Sequence, residues 1–474
     1  MHSPMVINDN GAWCWFQGER ALIDPTTGTL VVGSVAVAEG PGGAERVGNV
    51  ELTVVDLRTG RCDVVVLHRN LEADDHNAPG LWRRADGRWL AVYTKHKTDD
   101  LTRWRISEPG DPRTWGPEQT YDWGPHTGGR GVTYANLYEL DGRLYCFSRA
   151  VNDDQCALVS DDDGDTWSYA GQLFTRPKIG YVNGYARYVA DGKRIDLITT
   201  EHHPRDYDNS IYHGYLQAGA LHRTDGTVVA EALAGQAPCQ TRLTTVLAAG
   251  STGDGDPMTH CWTTDIRRAA DGTLAAVVTA RAADDPVPPD ADDRMRPILD
   301  LRFLYARTTP DGAWQVTELA KAGAGLLPHE QDYTGLAAID PRDLNVVYVS
   351  TPIDPRDNSR LRHHEIFHGR AADDGRSWSW SPITENSDVD NFRPIVVAGD
   401  HSRSPLLWFR GSMTASQHYR CEVVLLTDPS PAGGAGSVRG SGALPHGEGG
   451  RQLEASCEVA RHAGESAGDP RSLC

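Results

Sequence analysis

The sequence predicts an all-β protein, a seven-bladed β-propeller with degenerate Asp boxes. Three observations carry this: the composition, a hairpin that recurs seven times, and a turn motif that recurs in decaying copies. With 49 glycines, 28 prolines and 5 methionines in 474 residues, the chain shows no sustained 3.6-residue apolar stripe. Short runs rich in Val, Ile, Tyr, Trp and Thr are cut instead by Asp-Gly, Gly-Gly and Asp-Pro steps, the chemistry of strands and turns. The length admits three small domains or one large one, and all-β domains commonly exceed the usual domain length.

The recurring unit is an apolar strand, a tight turn and a second apolar strand. It is clearest in GLWRRADGRWLAVYTKH (80–96), NLYELDGRLYCFSRA (136–150), ARYVADGKRIDLITTEH (186–202) and IRRAADGTLAAVVTAR (266–281). Looser copies are ERALIDPTTGTLVVGSVA (19–36), GLAAIDPRDLNVVYVST (335–351) and PIVVAGDHSRSPLLWFRG (394–411). Seven such inner hairpins fit seven blades. The Asp-box pattern S-x-D-x-G-x-T-W supports the same count. SDDDGDTW (160–167) matches it throughout, AADDGRSW (371–378) keeps Asp373, Gly375 and Trp378, and TTPDGAW (308–314) and PGDPRTW (109–115) are degraded. Boxes of this kind join the outer strands of a blade, so Trp167 and Trp378 are read as structural wedges.

The propeller is expected over residues 1–428. Residues 429–474 hold ten glycines and almost no aromatic or β-branched side chains, a composition that cannot offset its ordering entropy, and are read as a disordered tail. HYRCEVVLLT (418–427) is then the last strand, and either it or the N-terminal WCWFQ closes the ring.

Net charge of −19 argues against a nucleic-acid partner, which needs a concentrated Lys/Arg surface. Nine cysteines without a C-x-x-C pair read as reduced, buried thiols. No apolar stretch is long enough to span a membrane, and the N-terminus as written has no secretory pattern. The expectation is a monomeric cytoplasmic protein, or a secreted one if a native leader has been removed.

The hairpin over 74–96 raises the functional question. Asp86-Gly87 is a strong turn signal, His76 lies ten residues before it and His96 nine after, so antiparallel pairing brings both imidazoles to the open end, roughly 30 Å from the turn. The same equal-arm test places Tyr134 and Arg149 together either side of Asp141-Gly142. TTEHHPR sets His202, His203 and Arg205 beyond the top of the following unit. In a propeller the open ends of inner hairpins crowd around one mouth of the channel.

Two His, one Tyr and two Arg without a paired acid suit β-elimination on a uronate bonded at C4 better than hydrolysis. A neutral His takes the C5 proton, Arg meets the carboxylate through its bidentate fork, and a His or Tyr returns a proton to the leaving oxygen. Concentrated positive charge steadies the enolate-like state. This chemistry requires no cofactor.

The DDHN segment with a second His twenty positions on resembles the seven-bladed propeller polysaccharide lyases. So do the Tyr134/Arg149 pair, the HPR segment, DYTGLAAIDP (332–341) and NFRPIVV (391–397). That group includes ulvan lyases and the L-rhamnose-α-1,4-D-glucuronate lyases, and the similarity runs from about Asn10 to Thr427. It implies His96 as general base, His76 as assistant, Tyr134 near the leaving group, and Arg149 and Arg205 on the carboxylate of an acidic polysaccharide or oligosaccharide. The 332–397 region inclines the reading toward the rhamnose-glucuronate lyases, with ulvan lyase as the alternative.

Asn77, Asn136 and His203 are further substrate-binding candidates, each with a turn-capping or loop role as the plain alternative. Tyr181, Tyr185 and Tyr188 line the fourth inner strand, with Tyr188 nearer its turn. Cys239, His260, Cys261 and His329 are zinc-ligand types, and Glu330 and Asp332 calcium-ligand types, but none has the tight spacing of a metal motif. Lys95 and Lys97 are read as solvated rim. Two other classes stay open. FRP (392–394) resembles the early Arg motif of Asp-box sialidases but falls after the boxes, and a propeller that binds glycan without turnover would keep the same pocket.

Overall fold

The computed structural model describes residues 3–177, 182–205, 207–251, 256–282, 298–327, 332–398 and 404–429. In them the chain lays down seven antiparallel sheets in sequence order, the blades of a β-propeller. Each inner hairpin expected from sequence is the inner pair of one blade. The first is Ala21–Asp24 with Thr29–Val35, the second Gly80–Arg83 with Trp89–Thr94, and the third Thr133–Leu140 with Arg143–Arg149. Blades 4 to 7 begin with Ala186–Ala190, Met258–Arg268, Ala337–Asp340 and Asp390–Val396.

Turn chemistry fixes these hairpins. Gly87 and Gly142 adopt φ of 86° and 76°, the left-handed region that a side chain disfavours, and Asp86 accepts the Arg88 backbone N–H at 2.9 Å. The Asp boxes lie where the motif requires. SDDDGDTW joins Gln155–Ser160 to Ser168–Gln172, and the box around Asp373 joins Arg360–Ala371 to Trp378–Pro382, the third and fourth strands of blades 3 and 6. Asp162 accepts from the Thr166 N–H at 2.8 Å and from its hydroxyl at 2.6 Å. Trp167 and Trp378 pack into inter-blade cores as wedges. Apolar side chains fill the space between neighbouring blades, for example Leu90, Val92 and Trp104 of blade 2 against Cys146 and Leu158 of blade 3.

Ring closure differs from both expectations. His418–Leu426 is the third strand of blade 7, and the short N-terminal strand Met5–Asn8 pairs with it antiparallel, so both ends of the propeller share one sheet. WCWFQ (13–17) is no strand. It turns inward and fills the channel as a plug, with Trp13, Trp15 and Phe16 each at most 3% exposed. Phe16 stacks on Trp262 of blade 5 at 3.6 Å and 7°, and the Trp15 indole N–H donates to the Thr334 carbonyl at 2.7 Å. The physical reason is coverage: rings at a blade edge keep one side in water, whereas in the channel they are enclosed. Of the tail expected over 429–474, all but Pro429 lies outside the described residues.

Candidate active site

Blade 2 is preceded by the three-residue helix Asp75–Asn77, whose cap is Asp74. Asp74 Oδ1 accepts the His76 backbone N–H at 2.9 Å and its ring Nδ1 at 2.7 Å, while Oδ2 holds His96 Nδ1 at 2.9 Å. Strand register pairs Gly80 with Val92 and Arg83 with Trp89, and continuing it brings position 76 opposite 96. The two imidazoles accordingly stack, with centroids 3.6 Å apart and planes 9° from parallel. Gln417, from the blade 7 hairpin, donates to the same Asp74 oxygen.

One carboxylate and two stacked rings split the protonation of the pair. Burial disfavours charge on His76, but Cys14, Asp74 and Asp75 around it outweigh that and hold its pKa well above the ordinary value. His96 is pulled down to about 4 by burial and by the neighbouring His76 charge, despite its bond to Asp74. At neutral pH the pair is one imidazolium and one imidazole. His96 donates from Nδ1 to Asp74, which leaves Nε2 as an acceptor.

Blade 3 supplies the next two groups. Thr133 pairs with Arg149 and Asn136 with Phe147, so the strand carries a bulge between them, where Tyr134 takes φ of 71°. The bulge turns the phenol toward the histidines, its ring 5.6 Å from that of His76. Burial, first, and the nearby Cys14 push the Tyr134 pKa well above its ordinary value, so the phenol keeps its proton. The Arg149 guanidinium lies between two rings, 4.9 Å from Tyr134 and 5.2 Å from Tyr185. It is 2% exposed, and its Nε and Nη1 have no hydrogen-bond partner among the described residues. A cavity of about 10 Å³, room for one water, lies against it, bounded by Phe16, Tyr134, Tyr185 and Tyr188.

Blade 4 completes the arc. Tyr185 packs edge-on to His203 at 5.5 Å, and His203 Nδ1 accepts the Arg205 backbone N–H at 3.1 Å. Burial, then Arg205 and Arg149, hold His203 well below its ordinary pKa and so neutral. Contacts therefore run unbroken from His96 through His76, Tyr134, Arg149 and Tyr185 to His203, and Arg205 adjoins His203 through its backbone N–H. His96 and Arg205 keep partial exposure, and the others form the floor.

Several expectations change. The site has acids: Asp74 and Asp75 sit beneath the imidazoles, 2% and 1% exposed, where they reach histidine and not solvent. Asn136 holds the plug, its Oδ1 accepting Gly18 N–H at 2.8 Å and Arg20 Nη2 at 2.6 Å. Asn77 is fully buried and donates to the Glu72 carbonyl at 3.1 Å. Lys97 is tied to Asp153, and Lys95 lies 3.7 Å from Asp99. Tyr181, His329 and Glu330 lie outside the described residues.

Among the described residues, the donor groups close enough to share a metal are Cys14, Asp75 and His76, and Asp74, His76 and His96. Cys239, His260 and Cys261 belong to neither, since His260 Nδ1 meets Thr259 Oγ1 at 3.0 Å and Cys239 lies by Gln240. Asp332 pairs with Arg281 at 3.0 Å. Sequence reasoning missed Asp74 as organiser, although DDHN sets it two residues before His76, and missed Gln417, which no motif marks.

Fold and channel mouth together define a seven-bladed β-propeller that carries an aspartate-bridged histidine pair backed by arginine. Residues 46–322 match the BNR repeat-containing family, and the chain belongs to it. No curated protein matches the chain. Among solved structures it is similar to an ulvan lyase, a polysaccharide lyase bound to -[GlcA(1-4)Rha3S]-, with TM-score 0.62, 11% identity, and coverage of 90% of this chain and 96% of that one. It is also similar to polysaccharide lyase Uly1, with TM-score 0.53, 11% identity, and coverage of 91% and 100%. At these identities the likeness is one of fold.

Proposed function

We propose that the protein is a polysaccharide lyase that cleaves the bond to C4 of a glucuronate by β-elimination. The observation that carries this is the split histidine pair. Two equivalent rings on one carboxylate are driven to opposite protonation states beside a buried arginine, and groups whose pKa values are forced apart mark acid and base roles.

His96 Nε2 takes the C5 proton. The freed electron pair forms the C4–C5 double bond as the C4–O bond breaks, and the leaving oxygen takes a proton from the Tyr134 phenol. Arg205 at the rim meets the carboxylate. The Arg149 charge beneath it, together with imidazolium His76, stabilises the negative charge that grows as C5 is deprotonated. His203, neutral and packed on Tyr185, shapes the wall on the Arg205 side.

The substrate bond we propose is rhamnose linked to C4 of glucuronate. Similarity of the 332–397 region to the rhamnose-glucuronate lyases supports it. The ulvan lyase neighbour, whose ligand alternates glucuronate with sulfated rhamnose, supports ulvan as the second reading. Incubation with gum arabic and with ulvan, followed by the ultraviolet absorbance of the unsaturated uronate, tests both. Absorbance growth with gum arabic alone supports the first reading, and growth with ulvan alone the second. Release of saturated sugars without absorbance would overturn elimination altogether.

A further inference from the structure

Nearer the closed ends of the inner hairpins lies a second layer of charge that the proposed reaction does not use. Along Met258–Arg268, Trp262 packs on Phe16 of the plug, and Asp265 and Arg267 follow toward the turn at Gly272. The plug itself continues into Glu19 and Arg20, while Arg187 enters from blade 4 and Arg393 from blade 7. Arg267 lies 2.6 Å from Glu19 and 3.3 Å from Asp265, and Arg187 lies 3.6 and 3.7 Å from the same two carboxylates. Arg20 reaches the Ala135 carbonyl and Asn136 Oδ1, and Arg393 the Gln17 carbonyl.

Arg187 and Arg267 thus share two carboxylates, while Arg20 and Arg393 reach only neutral oxygens. Arg20, Arg187 and Arg393 are 0%, 3% and 1% exposed, and among the described residues Arg20 Nε, Arg187 Nη1 and Arg393 Nε have no hydrogen-bond acceptor. Buried charge is ordinarily paired, because an unpaired ion in a low-dielectric interior is strongly unfavourable. Burial and the adjacent Arg187 bring the Arg393 pKa down to about 9, and burial brings that of Arg20 to about 10. The Glu19 and Arg267 side chains at the edge of the layer retain 20% and 10% exposure. The aromatic plug separates this layer from the histidine pair, so its ligand is not the sugar.

We propose that the lower channel binds a small inorganic anion between Arg187 and Arg393, with Arg20 at its edge, and that this anion completes the charge balance beneath the plug. The test unfolds the full-length protein by heat in sodium gluconate, whose bulky anion serves as reference. Gluconate is then exchanged for chloride, sulfate or phosphate at constant ionic strength. Tm is expected to rise along a saturating curve, on the order of a few degrees, for at least one of these anions, and Arg187→Gln to abolish the rise. Crystals soaked in the heavy analogue of the stabilising anion, bromide, selenate or arsenate, are expected to show an anomalous peak within hydrogen-bond reach of Arg187 and Arg393. That soak decides alone if Arg187→Gln does not fold. A Tm that follows ionic strength whatever the anion, a rise that survives Arg187→Gln, or peaks only elsewhere would each overturn the site.

Discussion

His96 lies stacked on His76 at 3.6 Å with both Nδ1 atoms on Asp74, so the charge of the buried ring adds to burial in lowering the pKa of the exposed one. This yields a signed pH dependence. Below about 4, His96 is protonated on Nε2 and cannot take a proton; above it the base is ready. The acid limb of kcat/KM is therefore expected near pH 4, with activity rising through it and level across neutrality. His76→Gln removes the neighbouring cation, and the limb should move up toward the ordinary imidazole range. A wild-type limb already in that range, measured in short assays after a pH jump, would exclude a His96 base held low by burial and the His76 charge.

Removing the base itself is a separate matter. General base catalysis contributes about 10²–10⁴-fold, and His96→Ala is expected to lose activity on that scale. Its side chain is 19% exposed at the mouth, so the thermal unfolding midpoint should stay close to wild type. Full activity in this variant removes His96 from the mechanism.

Much of this is legible in the amino-acid sequence. The hairpins announce themselves because Asp-Gly turns and apolar strands are local features, and counting outward from Asp86-Gly87 suffices to pair His76 with His96. The same count gave Tyr134 and Arg149 a shared end but not the bulge between them, since a bulge is fixed by what the strand packs against. WCWFQ looks like a strand on composition. Its place in the channel depends on Trp262, Tyr333 and Thr334, hundreds of residues away. Asn136 looked like a sugar ligand for the same reason, because its partners Gly18 and Arg20 come from that plug.

Asn136 gives the next test. If it fastens the plug, Asn136→Ala breaks its bonds to Gly18 and Arg20 and leaves Arg20 Nη2 short of an acceptor, for a loss of about 1–3 kcal/mol. Stability measured by denaturant should fall while KM stays unchanged. A raised KM at unchanged stability would return Asn136 to the binding surface.

The joint between Met5–Asn8 and His418–Leu426 is what makes the ring a closed object. Without it blade 7 ends in an unpaired edge, and the contacts between blades 7 and 1 lose their backing. Deleting residues 1–8 is therefore expected to lower Tm sharply and to broaden the unfolding transition. An unchanged transition would mean that the first strand is ornamental to closure.

Phe16 connects the fold to the chemistry most directly. It stacks on Trp262, meets Tyr185 at 5.2 Å, and bounds the small cavity against Arg149. Phe16→Ala should cost about 3–5 kcal/mol, because rigid blades on every side prevent the space from collapsing. It should also let Tyr185 and the Arg149 sandwich relax. Arg149 is proposed to act on charge that develops during the reaction, so its misplacement should appear in kcat more than in KM. Phe16→Leu refills most of the volume and is expected to restore both. If kcat is untouched while stability falls, the plug supports the propeller alone, and the floor of the site is set by the blade 3 bulge and blade 4 without it.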